Sequence, residues 1–257
     1  MRRGGPVRDW DVVDAHAHIG RWYNFFTPGT DPAAMEAVMD RCGVRKAVVS
    51  GLLGVGPDAA GANVEVVELV RRYPERFAGY AVLNPHHPDS PADVERTLDL
   101  PGIVGVKIHP ETHAYPVTGS GYDAAWEIAT RRGVPVLTHT EGGSPYCDPA
   151  MFRAVAERWP QVRIILGHAG VTEAGHRAAI SVARDHPNLI LELCGSLTTG
   201  QWIRRLVDAV GPDRVLFGSD FPFIDLRYGL GRVVFAGLSP DELRQVLGGN
   251  ARRILNV

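Results

Sequence analysis

The sequence of 257 residues predicts an α/β fold in which eight strand–helix units form a single (β/α)8 barrel, the TIM-barrel architecture. Three observations support this prediction. Short runs of apolar and β-branched residues recur along the chain, and each is followed by a stretch with helical periodicity. Each unit takes roughly 30 residues, close to the size of the units in known barrels. No low-complexity tract or long linker divides residues 1–257, so we expect one domain.

The predicted strands are nearly continuous in apolar residues, as is usual for parallel strands that are covered on both faces. They lie at residues 11–16, 46–51, 77–84, 104–109, 134–139, 162–168, 189–194 and 215–220. An open doubly wound sheet is the alternative arrangement. It usually needs fewer strands, however, and no glycine-rich phosphate loop follows the first strand here. The barrel is therefore favoured.

Helical stretches alternate with these strands and carry start and stop signals. The first, at 31–42, opens with Asp31 as N-cap and a proline at the first helical position. The second, at 61–73, ends in basic residues and is followed by Pro74. The remaining helices are predicted at 90–100, 122–132, 148–159, 172–185, 201–210 and 239–255.

The first strand leads into the segment VVDAHAHIG, from Val12 to Gly20, which contains two histidines two positions apart. Residues two apart on a strand point to the same face, so we expect His16 and His18 side by side at the carboxyl end of the strand. Two neutral imidazoles that converge on one point suit a divalent metal. A pair of polar residues at a strand end, without a metal, is the alternative, and this short motif alone does not decide between the two.

Four further predicted strands also end in side chains that can bind a metal or a substrate. These side chains are Lys107 and His109, His139, His168 and Asp220. In a barrel the carboxyl ends of all strands meet at one mouth, where catalytic groups are found. Imidazoles with one carboxylate and no thiolate suit Zn²⁺, with Mn²⁺, Fe²⁺ and Co²⁺ as alternatives, in a catalytic rather than a structural site.

The order of these residues resembles that of the amidohydrolase superfamily, which has HxH on strand 1, Lys or Glu on strand 4, His on strands 5 and 6, and Asp on strand 8. The segments GVKIHP, PVLTHT, ILGHAG and LFGSDFP, with the closing GGNARRIL, are similar to those of its amidohydrolase 2 branch. The similarity covers Val12 to Val257. That branch contains metal-dependent hydrolases and non-oxidative decarboxylases of the aminocarboxymuconate-semialdehyde and resorcylate type.

The resemblance implies that four side chains hold one metal and that His168 faces the metal-bound water or a second metal. The four implied ligands are His16, His18, His139 and Asp220. Lys107 falls where other superfamily members place a bridging carboxylated Lys or a Glu. Many relatives read His-Thr-Gly after strand 5, whereas this chain reads HTEGG, which places Glu141 near the mouth. The chain is also short beside the decarboxylases of the branch, which leaves less room for their long loops.

Two reactions fit such a site. The first is hydrolysis of an amide, lactone or ester by an activated water, with Asp220 as ligand and proton carrier and His168 orienting the water or stabilising the oxyanion. The second is non-oxidative decarboxylation of a small carboxylated substrate, aromatic or muconate-like. A barrel that has lost activity and only binds a metabolite or a protein is a third possibility. It is disfavoured because every implied ligand position is filled.

Lys107 lies within strand 4 of a chain that has 25 Arg and only two Lys. Strand alternation places its side chain on the face of His109, inside the barrel. Three interpretations are open. Lys107 forms an internal ion pair, with Asp14 or Glu192 as partner, or it binds a substrate carboxylate. The third, which the resemblance suggests, is carboxylation, which would make Lys107 a bridge between two metals.

Four aromatic residues follow strand 1 in the segment RWYNFF, residues 21–26, and would form an exposed apolar patch in water. We expect this loop, Trp22 included, either to cover the mouth and contact the substrate or to pack against another subunit. His109, Glu141 and, for a substrate carboxylate, Arg227 are the other expected substrate contacts. Cys194, at the end of strand 7, is expected to serve packing only.

Composition and charge exclude several classes of protein. The formal net charge of −2 and a pI near 6.5 do not suggest a nucleic-acid partner. No apolar run is long enough to cross a bilayer, and no apolar segment follows the charges of MRRGGPVRDW as in a secretory signal. Three scattered cysteines fit reduced thiols. We therefore expect a cytoplasmic enzyme for a small-molecule substrate, with a homo-oligomer left open.

Overall fold

All eight predicted strands are present, and they pair in the order in which they follow each other along the chain. The computed structural model describes residues 10–24, 26–28 and 30–257. Every neighbouring pair of strands is parallel. The strands are β1 (Val12–Ile19), β2 (Val44–Gly51), β3 (Phe77–Val82), β4 (Ile103–Ile108), β5 (Val136–His139), β6 (Ile164–Gly167), β7 (Leu189–Glu192) and β8 (Val215–Leu216).

The sheet nearly closes into a barrel because the segment that follows β8 lies against β1. Ala17 and Phe221 form a parallel bridge. The backbone N–H of His18 donates to the carbonyl of Phe221 at 2.8 Å, and the N–H of Asp220 donates to the carbonyl of His16 at 2.8 Å. The predicted TIM barrel is confirmed. Although β8 is shorter than predicted, this closure places Asp220 beside the two histidines of β1.

A bulge in β1 changes the alternation of its side chains. β1 carries one residue more than β2 between Asp14 and Ala17. A bulge of this kind redirects the side chains around it. The neighbours Ala15 and His16 consequently both face the barrel interior, Ala15 in the apolar core and His16 in the polar group above it. His18 lies on the same side as His16, as the sequence predicts.

Helices follow the strands and pack around the outside of the barrel. They are α1 (Pro32–Cys42), α2 (Leu52–Val55), α3 (Ala59–Arg72), α4 (Ser90–Leu98), α5 (Asp123–Arg132), α6 (Phe152–Arg158), α7 (Glu173–Asp185), α8 (Gly200–Val210), α9 (Leu226–Val234), α10 (Pro240–Arg244) and α11 (Asn250–Leu255). The predicted N-cap of α1 is confirmed, since the carboxylate of Asp31 accepts from the N–H of Ala34 at 2.9 Å. Across the described ranges, no helix combines the length and apolar character needed to span a membrane.

Several helices differ from the sequence prediction, mainly in the C-terminal quarter of the fold. The short α2 and the whole of α9 were not predicted, and α9 contains Gly229 and Gly231, which lower helix propensity. The helix predicted over 239–255 is instead α10, a π-helical turn at Gln245–Gly249, and α11. The π-helical turn brings the backbone at Gly248 against the start of β1.

Apolar side chains fill the lower part of the barrel. The interior cluster consists of Val13, Ala15, Val48, Ala78, Tyr80, Leu137, Ile165, Ile190 and Leu216. Ala251, Ile254 and Leu255 of α11 belong to the same cluster and close the bottom. A second, larger core lies between the strands and the surrounding helices. Because the bottom is packed with apolar groups, the mouth at the carboxyl ends of the strands is the place for chemistry.

Gly248 provides a test of the contact between the C-terminal segment and β1. A Cβ atom at this position would lie 1.7 Å from the carbonyl oxygen of Asp11. Gly248→Ala should therefore force the two backbones apart and lower the free energy of unfolding by about 1–3 kcal/mol, as overpacking does. Urea denaturation measures this change. Gly231→Ala is the control, because a Cβ there meets nothing within 4 Å. It should stabilise α9 by up to about 1 kcal/mol. Equal effects of the two substitutions would contradict this account.

Candidate metal centre

The structure brings together the side chains that were predicted at the strand ends. Asp220 Oδ1 lies 3.1 Å from His18 Nε2 and 3.8 Å from His16 Nε2. The ring of His168 centres 5.2 Å from that of His16 and 4.6 Å from that of His139. Side chains from β1, β5, the end of β6 and the segment after β8 therefore converge in one mouth.

Asp220 is the carboxylate of this group, and its surroundings keep it ionised at neutral pH. Burial acts to raise the pKa of Asp220, but the imidazole of His168 and the hydrogen bond with His18 outweigh burial and hold this pKa below its usual range. Burial lowers the pKa of His16 and of His168, so that both imidazoles are neutral. Neutral imidazoles with an ionised carboxylate form a donor set that suits a divalent transition metal.

The backbone at two residues of the group lies in the left-handed region, which disfavours residues other than glycine. The φ angle is 61° at Asp220 and 66° at His168, and it remains positive at Ala169 and Val171. Such conformations cost of the order of 1–3 kcal/mol each and cluster at functional sites. They direct the side chains that follow β6 and β8 into the mouth.

Polar partners hold the ring nitrogens of the β1 histidines that face away from Asp220. His16 Nδ1 lies 2.8 Å from Glu192 Oε2, and His18 Nδ1 lies 3.0 Å from Ser50 Oγ. Partners of this kind fix the orientation and the tautomer of an imidazole that binds a metal. Both Nε2 atoms are thereby left to face Asp220, which is the arrangement that a shared metal requires.

Glu192 is a site residue that the sequence analysis considered only as an ion-pair partner for Lys107. It is fully buried on β7 and accepts the backbone N–H of His168 at 3.1 Å and of Cys194 at 2.6 Å, in addition to His16. The signal in the sequence was a carboxylate inside the apolar run LILELC. A buried charge of this kind needs several donors, and Glu192 has them.

Lys107 points into the site as predicted, but without the expected ion pair. It is fully buried, and its Nζ lies 3.0 Å from His16 Nε2. Burial lowers the pKa of Lys107 to about 8. Within the described part of the chain, neither Asp14 nor Glu192 lies within 4 Å of this ammonium group. Asp14 instead accepts the backbone N–H groups of His16 and Ser219 at 3.1 and 3.0 Å. The interpretation of Lys107 as half of an internal ion pair is therefore not supported.

His139 lies between His109 and the rest of the group. The rings of His109 and His139 stack with centroids 4.3 Å apart and an interplanar angle of 17°. Glu141 Oε2 lies 3.6 Å from His139 Nε2, and the Glu141 side chain is partly exposed at the mouth. Among the described residues, neither ring nitrogen of His139 has a hydrogen-bond partner, although both are buried. Because buried polar groups nearly always have a partner, these nitrogens fit a ligand such as a metal.

Cys194 lies inside the polar group rather than among apolar side chains, which corrects the expectation of a site without sulfur. Its Sγ lies 3.0 Å from His168 Nδ1 and 3.2 Å from His16 Nδ1. One ligand atom from each of Cys194, His16, His168 and Asp220 lies within 4.8 Å of the others, a set that could hold a metal ion. In the sequence, a cysteine after an apolar strand reads as a small apolar residue.

The loop after β1 only partly covers the mouth of the single chain. The Trp22 ring packs edge-on against Phe223 at 5.3 Å, and Phe223 in turn lies against the second histidine of the HxH pair. Phe26 is 88% exposed, and Tyr23 is exposed as well. Phe25 lies outside the described residues. Among the described aromatic residues of this loop, Trp22 is therefore the one that packs against Phe223 beside the site.

Arg227 is not brought to the mouth. Its guanidinium pairs with the carboxylate of Asp225 at the start of α9, and its side chain is largely exposed. The cation of α9 that faces inward is Arg232, which donates to the backbone carbonyls of Gly195 and Thr198 in the loop after β7. The structure thus gives no support to the expected contact between Arg227 and a substrate carboxylate.

The fold is a TIM barrel, and imidazoles and a carboxylate that could hold a divalent metal converge at its mouth. A sequence profile of the amidohydrolase family (Amidohydro_2) matches residues 13–257, and the chain belongs to this family. This confirms the resemblance found in the sequence. It also identifies the chain as an enzyme, because its characterised relatives are decarboxylases and a lactonase.

Two curated relatives and one solved structure illustrate this similarity. The chain is 24% identical to L-fucono-1,5-lactonase of Burkholderia ambifaria, over 93% of each chain. It is 23% identical to gamma-resorcylate decarboxylase of Polaromonas sp., over 76% of this chain and 75% of the relative. A dihydroxybenzoic acid decarboxylase from Polaromonas sp., solved with manganese and 2-nitroresorcinol, superposes with a TM-score of 0.77 at 17% identity. That superposition covers 96% of this chain and 97% of the decarboxylase.

Glu192→Gln tests whether this carboxylate orients His16 for a metal. The amide is a weaker acceptor for the N–H of His16, so we expect the affinity for Zn²⁺ to fall by about 10–100-fold, as with other outer partners of metal ligands. Competition with a chromophoric chelator measures this affinity. Glu95→Gln is the matched control, because Glu95 pairs with Arg131 and Arg132 on the surface. Unchanged Zn²⁺ affinity in Glu192→Gln, at wild-type stability, would contradict the assignment.

Proposed function

We propose that the protein is a metal-dependent hydrolase that uses an activated water to cleave an amide, lactone or ester bond of a small molecule. The observation that carries this proposal is the position of Asp220, an ionised carboxylate 3.1 Å from His18 Nε2 and 3.8 Å from His16 Nε2. A lactone is the favoured bond, because the alignment with the lactonase spans 93% of both chains. The alignment with the decarboxylase spans less of either.

The proposed metal ligands are the four that the family resemblance implies. They are His16, His18, His139 and Asp220. Two observations support this set. The ring nitrogens of His139 lack a hydrogen-bond partner within residues 10–24, 26–28 and 30–257, and Asp220 Oδ1 faces the imidazoles of β1. We propose zinc as the metal, with manganese, iron or cobalt as alternatives that suit the same donors. When bound, a divalent cation lowers the pKa of a water molecule and polarises the substrate carbonyl.

Asp220 is proposed to transfer the proton, and His168 is proposed to assist the water or the oxyanion. Asp220 directs Oδ1 to the imidazoles, so that Oδ2 is available to accept the proton of the attacking water and to pass it to the leaving group. His168 is buried and neutral. It can orient the water or donate a hydrogen bond to the oxyanion. Positioned groups of this kind contribute to rate because they act only where charge develops.

His109, Glu141 and Trp22 are proposed to contact the substrate at the mouth. Burial lowers the pKa of His109, and its Nδ1 accepts the backbone N–H of Thr112 at 3.3 Å. A neutral His109 therefore carries its proton on Nε2, which makes it a donor for a substrate oxygen. The partly exposed carboxylate of Glu141 suits a hydroxyl group. Trp22, beside Phe223, offers an apolar wall.

The proposed partner is a small molecule, and we propose neither nucleic acid nor membrane as a partner. The formal net charge of −2 gives no basic field for nucleic acid. All three cysteines are unpaired, which supports the proposed cytoplasmic location. A homo-oligomer is proposed as one way in which exposed aromatics of the loop after β1, such as Phe26, become covered.

Decarboxylation of a small aromatic or muconate-like acid is the second candidate. The observation that favours it is Lys107, a buried cation 3.0 Å from His16 Nε2 that can neutralise a substrate carboxylate. The decarboxylases among the relatives favour it too. In this reaction the bond to the carboxyl carbon breaks and CO₂ leaves, while the electron pair of that bond stays on the substrate carbon. That carbon then takes up a proton from water, which Asp220 or His168 relays.

A substrate panel distinguishes the two reactions. Metal-loaded protein is incubated with γ- and δ-lactones of sugar acids, simple esters and amides, and hydroxylated benzoic acids. Acid release in a pH-stat reports hydrolysis, and headspace CO₂ reports decarboxylation. The proposal predicts metal-dependent acid release from at least one lactone, ester or amide. Release of CO₂ without any hydrolysis would replace the first candidate with the second.

Asp220→Asn tests the proton-carrying role. An amide can still face the imidazoles but cannot accept the proton of the water, so kcat should fall by about 10²–10⁴-fold. The rate is compared at equal metal occupancy, determined by elemental analysis on the same samples. Asp225→Asn, which changes a surface carboxylate paired with Arg227, is the matched control and should turn over normally. Wild-type turnover in Asp220→Asn would exclude the proposed role.

The number of metal ions bound per chain tests whether Lys107 bridges two metals. Because its Nζ lies beside His16 Nε2 rather than a second carboxylate, we expect one tightly held metal per chain. This content should be the same in the wild type, in Lys107→Arg and in Lys107→Met, with or without bicarbonate. Elemental analysis after dialysis measures it. Two metals in the wild type that fall to one in both variants would instead establish a carboxylated Lys107 as a bridge.

A further inference from the structure

The thiol of Cys194 has an environment that packing does not explain. The residue is fully buried. Its Sγ lies 3.0 Å from His168 Nδ1, 3.2 Å from His16 Nδ1 and 2.8 Å from Glu192 Oε2. A cysteine that serves as a small apolar residue contacts carbon atoms, whereas this sulfur contacts nitrogen and oxygen on three sides.

The surroundings of His168 provide a second observation. Its side chain is only 6% exposed. Among the described residues, the only hydrogen-bond partner of its ring is the sulfur of Cys194, at 3.0 Å from Nδ1 and 4.0 Å from Nε2. A thiol is a weak donor and a weak acceptor. A buried imidazole without a strong partner is rare, and it points to a ligand in this part of the mouth.

We propose that Cys194 contributes its sulfur to the metal centre, next to His16, His168 and Asp220, and that it thereby sets the choice of metal. One ligand atom from each of these four residues already lies within 4.8 Å of the others. Binding forms a sulfur–metal bond and releases the thiol proton to solvent. The inference rests on the proposed metal-dependent function and adds a sulfur ligand to it.

A sulfur ligand would change which metal ions the site prefers. Imidazole and carboxylate donors accept manganese as well as zinc, and the similar dihydroxybenzoic acid decarboxylase was solved with manganese. A thiolate is a soft ligand that favours zinc and disfavours manganese and magnesium. The protein should therefore bind Zn²⁺ and Co²⁺ in preference to Mn²⁺, and the difference should depend on Cys194.

A purely positioning role makes a different prediction. The thiol also donates to Glu192 Oε2 at 2.8 Å, and this contact alone could serve to hold Glu192 against His16. A serine hydroxyl would make the same hydrogen bond, so that role has no need of sulfur. The two explanations therefore predict different absorption spectra for a metal bound at the site.

The absorption spectrum of bound cobalt shows whether a thiolate is one of its ligands. Metal-free protein is titrated with Co²⁺, and the absorption spectrum is followed to one equivalent. We expect visible d–d bands together with an intense near-ultraviolet band from thiolate-to-cobalt charge transfer. In Cys194→Ser the charge-transfer band should disappear while the d–d bands remain. Cys147→Ser is the matched control and should keep both, because Cys147 is an equally buried thiol that contacts Ser144 and Glu111 instead.

Competition between Zn²⁺ and Mn²⁺ measures this preference. The ratio of Zn²⁺ to Mn²⁺ affinity should fall by about 10-fold or more in Cys194→Ser, in the range seen when groups around a metal are altered. It should be unchanged in Cys147→Ser. A Cys42→Ser/Cys147→Ser variant, in which Cys194 is the only thiol, must show the charge-transfer band on its own. This arm tests the proposal even if Cys194→Ser does not fold.

Three results would overturn the inference, and they differ from failure of the proposed function. Bound cobalt with d–d bands but no charge-transfer band means that the sulfur is not a ligand. A charge-transfer band that persists in Cys194→Ser means that another thiol is the ligand. Failure to bind any cobalt overturns both this inference and the metal-dependent function. Absence of hydrolysis in a protein that shows the Cys194-dependent band contradicts the proposed function alone.

Discussion

The site depends on the contact that closes the barrel. In the segment after β8, the backbone N–H of Asp220 donates to the carbonyl of His16, and the carbonyl of Phe221 accepts from the N–H of His18. These hydrogen bonds join residues about two hundred positions apart and place a carboxylate against two imidazoles. The left-handed backbone at Asp220 then turns its side chain into the mouth. Without this closure the histidines of β1 would form one edge of an open sheet and would have no carboxylate beside them.

The chemistry of the mouth follows from burying polar groups above an apolar floor. Burial keeps the imidazoles of His16 and His168 neutral, while neighbouring imidazoles keep Asp220 ionised. Glu192 is stabilised by the His16 ring, two backbone N–H groups and the Cys194 thiol, and it in turn orients His16. Lys107 supplies a cation on the opposite side of His16, at its Nε2. The proposed metal site and the proposed contact of Lys107 with a negatively charged substrate group would thus share the same buried groups.

The sequence predicted the parts of this arrangement that depend on strand ends. The barrel, the pair on β1 and Asp220 all follow from apolar runs that finish in polar residues. What it missed depends on three-dimensional contacts. The bulge in β1 redirects side chains in a way that simple alternation cannot express. In the sequence, Cys194 looks like a small apolar residue of the core. Only its contacts with the imidazoles of His16 and His168 indicate a place in the site. Arg227 follows strand 8 in sequence, but α9 turns it to the surface.

The central claim is that the HxH pair holds a metal, and elemental analysis of purified protein tests it most directly. Metal content per chain is measured by mass spectrometry in the wild type, in a His16→Ala/His18→Ala double variant and in a His87→Ala control, which changes an exposed histidine. We predict about one divalent metal, mainly zinc, in the wild type and the control, and almost none in the folded double variant. Stoichiometric metal in the double variant would contradict the account.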